Sequence, residues 1–296
     1  MSAILGLVQP HLEMRSASEN RERAASVQHS PVQNRILAAL PQDDYKRLLP
    51  SLESIDLPMG RAFHKPGEQD KHLYFLTAGV VSRFYLTESG ASAGFAVTGR
   101  EGAIGVSAIL SNQCTRANAA MLSAGHAYRL ATELAKNEFN GGHSLQHMLL
   151  RYAQALITQI AQTVVCNGHH SVYQQVSRWI LQCLDRSPGN ELPVTHEVLA
   201  TVVGVRRESV TTVAGKLQEE GLIHCGRSKI IVLDRAKLEA RACECYGVVK
   251  REYARLVPEM SSTQRRYPGT EQRRPLRLEG KEHDYRTFVQ MLPCSA

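Results

Sequence analysis

Thr195-His196-Glu197-Val198-Leu199-Ala200-Thr201-Val202-Val203-Gly204-Val205-Arg206-Arg207-Glu208-Ser209-Val210-Thr211-Thr212-Val213-Ala214-Gly215-Lys216-Leu217-Gln218-Glu219-Glu220 reads as two short helices joined by a tight turn. Thr195 is a natural N-cap, and Val198, Leu199, Val202 and Val203 recur at helical spacing. Gly204 follows the last apolar pair, where a helix commonly ends in a left-handed residue. A second helix opens near Arg206 and turns Val210, Val213, Ala214 and Leu217 inward. Arg206, Arg207, Ser209, Thr211, Thr212 and Lys216 fall on its other face. Ala200, Gly204 and Val210 stand where a helix-turn-helix needs a small contact residue, a turn glycine and a branched core residue.

That pattern predicts a helix that reads DNA in the major groove. A plain helical hairpin with a solvated polar face is the competing account. Downstream sequence favours the first: Leu222-Ile223-His224, a turn at Cys225-Gly226-Arg227-Ser228, and Lys229-Ile230-Ile231-Val232-Leu233 form a hairpin with a basic tip, hence a wing.

At 296 residues the chain has room for two domains. Its 43% hydrophobic and 21% charged residues suit a globular fold. A net charge of +7 and a pI near 9.1 suit a polyanionic partner. Seven cysteines show no regular framework, and no run reaches the roughly 18 apolar residues of a membrane span. A cytoplasmic protein with reduced thiols and no membrane partner is expected.

Working outward, residues 1–32 read as a disordered tail. Residues 33–140 read as a sensor domain: from Ser54 to about Leu130, strand candidates (55–57, 72–76, 80–86, 94–97 and 119–123) alternate with glycine corners, as in a small antiparallel barrel or roll. Asn137 to Cys166 reads as one helix, and residues 141–170 as a dimerisation helix ending in a hinge at Asn167-Gly168-His169-His170. Leu145, Leu149, Tyr152, Leu156, Ile160, Thr163 and Val164 form its apolar stripe, which is either core or a two-stranded dimer seam. Residues 171–257 hold the winged helix-turn-helix and end in a single helix from Arg235 to Leu256. Residues 258–296 read as a disordered basic tail. The fold class is α+β.

This order resembles the Crp/Fnr family of bacterial transcription regulators over roughly residues 34–256. Two segments carry the resemblance. Gly102-Ala103-Ile104-Gly105, with Arg116 eleven residues after Gly105, is similar to the phosphate-binding cassette of the family's cyclic-nucleotide barrel. Gly204-Val205-Arg206-Arg207-Glu208-Ser209-Val210 is similar to its turn and reading helix. The resemblance implies a homodimer on a palindromic double-stranded DNA operator, with RNA polymerase as a further partner.

The resemblance assigns base reading to Arg207 and Glu208. Arg can donate twice to guanine O6 and N7, and Glu can accept from cytosine N4. The third reading position, usually arginine, is Thr212 here, so the half-site should diverge from the familiar one there. Arg206, Ser209, Lys216, Arg227 and Lys229, with Thr195 and Thr211, are placed for phosphates.

The cassette departs from the nucleotide-binding pattern. The ribose-binding glutamate is replaced by Val106, and the Ser or Thr after Arg116 is Ala117. Each lost polar partner costs on the order of 1–3 kcal/mol. Cyclic AMP is therefore not the expected ligand of the site made by Gly102, Gly105, Val106, Arg116 and Ala117. An oxygen-sensing cluster is disfavoured too, since the first cysteine is Cys114.

No metal or cofactor is expected. Cys243 and Cys245 would point about 200° apart on a helix, poorly placed to share an ion, and read as a structural pair. His143 and His147 read as surface residues, and His169-His170 as a cap on the hinge. An enzyme is disfavoured: no Gly-rich loop opens a helix, and there is no nucleophile elbow and no His-Glu-x-x-His. The remaining alternative is a small-molecule-binding or protein-interaction module that uses its winged helix to dock on protein.

Overall fold

Asn34 shows how the N-terminal half is assembled. Its side-chain oxygen caps the helix α1 (Arg35–Ala38) by accepting from Ile36 N and Leu37 N, while its Nδ2 donates to the carbonyls of Leu76 and Gly102, each at 2.9 Å. A fully buried amide thus ties helix, strand and cassette together without leaving a polar group unsatisfied. In this computed structural model, residues 29–63, 67–111 and 117–259 are described. Most of the two expected tails, and Cys114 and Arg116, lie outside them.

After α2 (Gln42–Leu48) come β1 (Glu53–Leu57), β2 (His72–Ala78), β3 (Val81–Leu86), β4 (Ser92–Thr98) and β5 (Ala103–Ile104). The short helix α3 (Val106–Leu110), β6 (Asn118–Met121) and β7 (Gly125–Ala131) complete this half. They form two antiparallel sheets, β1-β7-β2-β5 and β4-β3-β6. The sheets do not close on each other, so the expected barrel is an open roll. The five strand candidates are all present. Strands β5 and β7 are additions to the sequence reading.

Helices α4 (Thr132–Asn140) and α5 (Ser144–His169) replace the single helix expected from Asn137 to Cys166. Gly142, at φ 70°, breaks the path between them. The expected hinge is also shifted: α5 runs through Asn167 and Gly168, and the break comes at His170, whose backbone is extended. Ser171 then caps α6 (Val172–Leu184) with a reciprocal capping box to Gln174.

The winged helix follows as β8 (Glu191–Leu192), α7 (His196–Val203), α8 (Arg207–Glu219), β9 (Ile223–Gly226) and β10 (Lys229–Val232). Strand β8, too short to show alternation, extends the wing to three strands in the order β8-β10-β9. Val176, Trp179, Ile180, Leu199, Val203, Val210, Leu217, Ile223 and Ile230 share its core with Val80 and Val97 of the roll.

The helix expected from Arg235 to Leu256 is two: α9 (Arg235–Arg241) and α10 (Glu244–Leu256). Between them Cys243 is extended (φ −78°, ψ 165°) and stands at the N-cap position of α10 without a side-chain capping bond. Helix α10 then leaves the winged helix. Its Val249, Tyr253 and Leu256 pack with Leu149 and Tyr152 of α5 and with Ile36, Leu73 and Phe75 in the roll's core.

Candidate nucleic-acid interface

Helix α8 stands on the core with Val210, Val213, Ala214 and Leu217 buried, and turns Arg206, Arg207, Glu208, Thr211, Thr212 and Lys216 outward. The turn before it depends on Gly204 at φ 81°, which lets Gly204 N and Val205 N both donate to Ala200 O, at 2.8 and 3.1 Å. A side chain with a Cβ would be strained in that conformation. Thr195 caps α7 by accepting from Val198 N at 3.2 Å, so its hydroxyl is a structural cap at the edge of the expected interface.

No side chain caps the start of α8. Its first-turn N–H groups and positive dipole end suit a phosphate. Arg207 Nη1 lies 3.4 Å from Glu197 Oε2, and both side chains are well exposed. Such a pair is worth little in water and orients the guanidinium without committing it. Thr211 and Thr212 donate their hydroxyls to the carbonyls of Arg207 and Glu208, at 3.1 and 3.0 Å. With its proton committed, Thr212 offers a base edge mainly its methyl group.

His196, which the sequence reading passed over, joins this face: Nδ1 is 3.3 Å from Thr211 Oγ1. Burial, and then the charge of Arg207, hold its pKa below the usual histidine value. Of the expected phosphate contacts, Ser209 is half-buried, while Lys216, Arg227 and Lys229 are exposed. Gly226 pairs with Lys229, so the wing tip is the two-residue turn Arg227–Ser228. Lys229 is tethered to Glu191 at 2.9 Å.

In the cassette, Gly105 adopts φ 97° at the start of α3, and Val106 behind it is buried. Ala117 is described; Arg116 is not, so the anion-binding expectation for it lies outside the described residues. Tyr152 of α5 lies against the cassette: a Cβ on Gly102 would stand 2.5 Å from its ring. The Tyr152 hydroxyl is 3.2 Å from Thr98 Oγ1 and accepts from Arg83 Nη2 at 3.2 Å, and the same nitrogen donates to Ala103 O at 2.7 Å. The cassette's inner side is thus bridged by the protein's own phenol and guanidinium.

The cassette also reaches the DNA-binding half. Arg186, at the end of α6, donates to Glu101 at 2.6 Å, with both side chains nearly inaccessible. The Arg186 guanidinium also lies over the Tyr253 ring. A second bridge joins β4 to the first helix of the helix-turn-helix, where a Cβ on Gly94 would come within 2.5 Å of Val202 O.

The stripe on α5 divides. Leu149, Tyr152 and Thr163 are buried within this chain, and Leu156 and Ile160 are half-buried. The exposed apolar row is Leu150, Ile157 and Val164, at 46%, 58% and 68% exposure. Those residues are seven apart, the spacing that keeps side chains on one stripe of a helix. The expected seam residues Leu149, Tyr152 and Thr163 face the chain's own core instead. Period alone marks an apolar face; it does not say which neighbour covers it.

A roll, a long helix with an exposed heptad row, and a basic-faced helix followed by a wing define a winged helix-turn-helix protein with an N-terminal β-roll. The model of the Crp-like helix-turn-helix domain matches residues 174–241. Three solved structures share the fold. A transcriptional regulator of the Crp/Fnr family from Eubacterium rectale is 19% identical, with a TM-score of 0.56, over 69% of this chain and 96% of that one. FixK2 from Bradyrhizobium japonicum is 13% identical, with a TM-score of 0.57, over 65% and 98%. A CRP-family transcriptional regulator from Thermus thermophilus is 21% identical, with a TM-score of 0.55, over 64% and 96%. A comparison with curated proteins finds no match. Residues 174–241 thus form a Crp-like helix-turn-helix domain, and the chain shares the fold of Crp/Fnr-type transcriptional regulators.

Proposed function

We propose that this regulator acts as a homodimer on a palindromic operator, with Arg207 and Glu208 reading a G·C pair in each half-site. The observation that carries the reading is the two-sided character of α8: four buried apolar residues fix the helix, and its basic, polar face is left open. Arg206, Ser209, Thr211, Lys216, Arg227 and Lys229 hold the phosphates, with Thr195 at the edge of the contact, and Thr212 sets the base preference by which this operator diverges. Dimerisation through Leu150, Ile157 and Val164 would place two reading helices about 34 Å apart, one turn of DNA. RNA polymerase is a further partner, and the cytoplasm the expected compartment. Among the described residues no helix is long and apolar enough to cross a membrane.

The sensor site reads as degenerate for cyclic AMP. Val106 offers no acceptor where a ribose hydroxyl would need one, and Tyr152 lies against Gly102. Selection of operators from random DNA, followed by affinity measured against salt, tests the whole reading. A palindrome should emerge, with binding falling steeply as salt rises. A folded protein that selects no sequence and shows no salt dependence would instead be the protein-docking module.

A further inference from the structure

Three thiols and an imidazole, separated by much of the winged helix in sequence, meet at the end of α5. The ligand atoms of Cys166, His170, Cys243 and Cys245 all lie within 4.8 Å of one another. Cys166 Sγ is 3.5 Å from Cys243 Sγ, and Cys245 Sγ is 3.6 Å from His170 Nδ1. Around a tetrahedral zinc ion, with Zn–S about 2.3 Å and Zn–N about 2.0–2.1 Å, ligand atoms stand roughly 3.5–3.8 Å apart. We infer that Cys166, His170, Cys243 and Cys245 form a structural Zn²⁺ site of the Cys₃His type.

The backbone explains why the four converge. Cys166 and His170 are one helical turn apart and so share a face. His170 N donates to Cys166 O, and Gln175 Nε2 donates to the carbonyls of both residues, fixing the end of α5. Cys243 and Cys245 would diverge on a continuous helix, which was the ground for expecting no shared ion. The chain is extended at Cys243 and helical from Glu244, which removes that obstacle.

The surroundings match a metal centre rather than an inert thiol cluster. The three cysteines are at most 5% exposed, so the site is closed, as structural zinc sites are. His170 presents Nδ1 to the thiols and Nε2 to Glu244 Oε1 at 3.3 Å. A carboxylate on the far nitrogen fixes the imidazole's orientation and tautomer as a ligand. Three thiolates on Zn²⁺ leave one net negative charge, and a buried cation stands close enough to act on the cluster electrostatically. Arg178 is 4% exposed, has no ion-pair partner among the described residues, and its charge acts on both Cys166 and Cys245. Its Nε has no hydrogen-bond partner, and Nη1 reaches only Thr163.

Binding would release the three thiol protons to solvent, the zinc ion taking their place. The ion would clamp the start of α10 to the end of the long helix at His170, directly before the helix Val172–Leu184 opens the winged-helix half.

The test is metal content of the full chain, purified under reducing conditions without chelator. One zinc per chain is expected, and cobalt exchange should give thiolate-to-metal charge transfer and the intense visible bands of tetrahedral Co²⁺. Cys166→Ser and Cys243→Ser should lose that spectrum, whereas Cys225→Ser, outside the cluster, should keep it. Because a cysteine variant can misfold, His170→Cys serves as the rescue and should retain one ion, while His170→Ala should not. Glu244→Gln should bind about 10–100-fold more weakly. The inference is overturned by a folded, reduced chain that takes up neither zinc nor cobalt. A Cys166–Cys243 disulfide with no metal uptake after reduction, or iron with acid-labile sulfide at these residues, would overturn it equally.

Discussion

Arg186 Nε stands 2.6 Å from Glu101 Oε1, and neither side chain is more than 6% exposed. Glu101 belongs to the turn that leads into the cassette, where the same oxygen also accepts from Gly99 N at 3.0 Å. Arg186 closes the first helix of the DNA-binding half. One buried pair therefore joins the two functional halves of the chain, and its strength depends on both charges being present.

Removing only one of them should be costly. Glu101→Gln leaves the Arg186 cation buried and is expected to lower stability by about 3–5 kcal/mol in urea unfolding. Glu101→Gln combined with Arg186→Met should cost clearly less than the sum of the two single changes. Additive losses would show that the pair is not coupled.

At the reading helix, two substitutions should behave differently. Arg207→Ala should weaken the selected operator by about 1–3 kcal/mol and relax preference at one base pair. Lys216→Ala should weaken all sequences alike and reduce the salt slope by about one. Equal loss on all sequences for Arg207→Ala would remove it from the base-reading role.

For the seam, Ile157→Asp should give a folded monomer by light scattering, because 58% of Ile157 is exposed in the single chain. Leu149→Ala should instead destabilise the chain itself by about 2–5 kcal/mol, since Leu149 is fully buried in its own core. A dimer that survives Ile157→Asp would place the interface elsewhere.

His126 should make stability depend on pH. It is buried, stacks on His29 at 4.1 Å, and lies 2.8 Å from Ser54 Oγ and 2.9 Å from Thr77 Oγ1. Burial, followed by the charge of His29, lowers its pKa from the usual histidine value. The unfolded chain then takes up the proton first as pH falls, so the contribution is complete above about pH 6.5 and is lost as pH drops towards the folded value. Urea unfolding at pH 7.5 and 5.5 should show a larger drop for the natural chain than for His126→Gln.

What could be read from the sequence was local. Thr195, Gly204 and the apolar spacing of Val210, Val213 and Leu217 define the helix-turn-helix within one short window, and each landed where expected. The turn at Gly102 to Gly105 was legible for the same reason, because its glycines form a compact motif. The features that escaped depend on distant partners. Nothing near Tyr152 in sequence announces that it will lie against Gly102, and nothing near Leu149 distinguishes a core face from a seam. The convergence of Cys243 and Cys245 depends on one residue's backbone: on a continuous helix they diverge, and only an extended Cys243 brings them together. Strands β5 and β8, two residues each, carry no alternation to detect.

The return of α10 to the roll has a consequence for how the protein is made. Ile36 and Leu37 near one end of the described chain share a core with Leu256 and Val257 near the other. A chain emerging from the ribosome N-terminus first therefore presents an unsealed roll until the whole winged helix has been synthesised. The roll cannot finish folding ahead of the winged helix. Severing the chain after the wing would not release two modules; it would leave one of them with an open apolar groove.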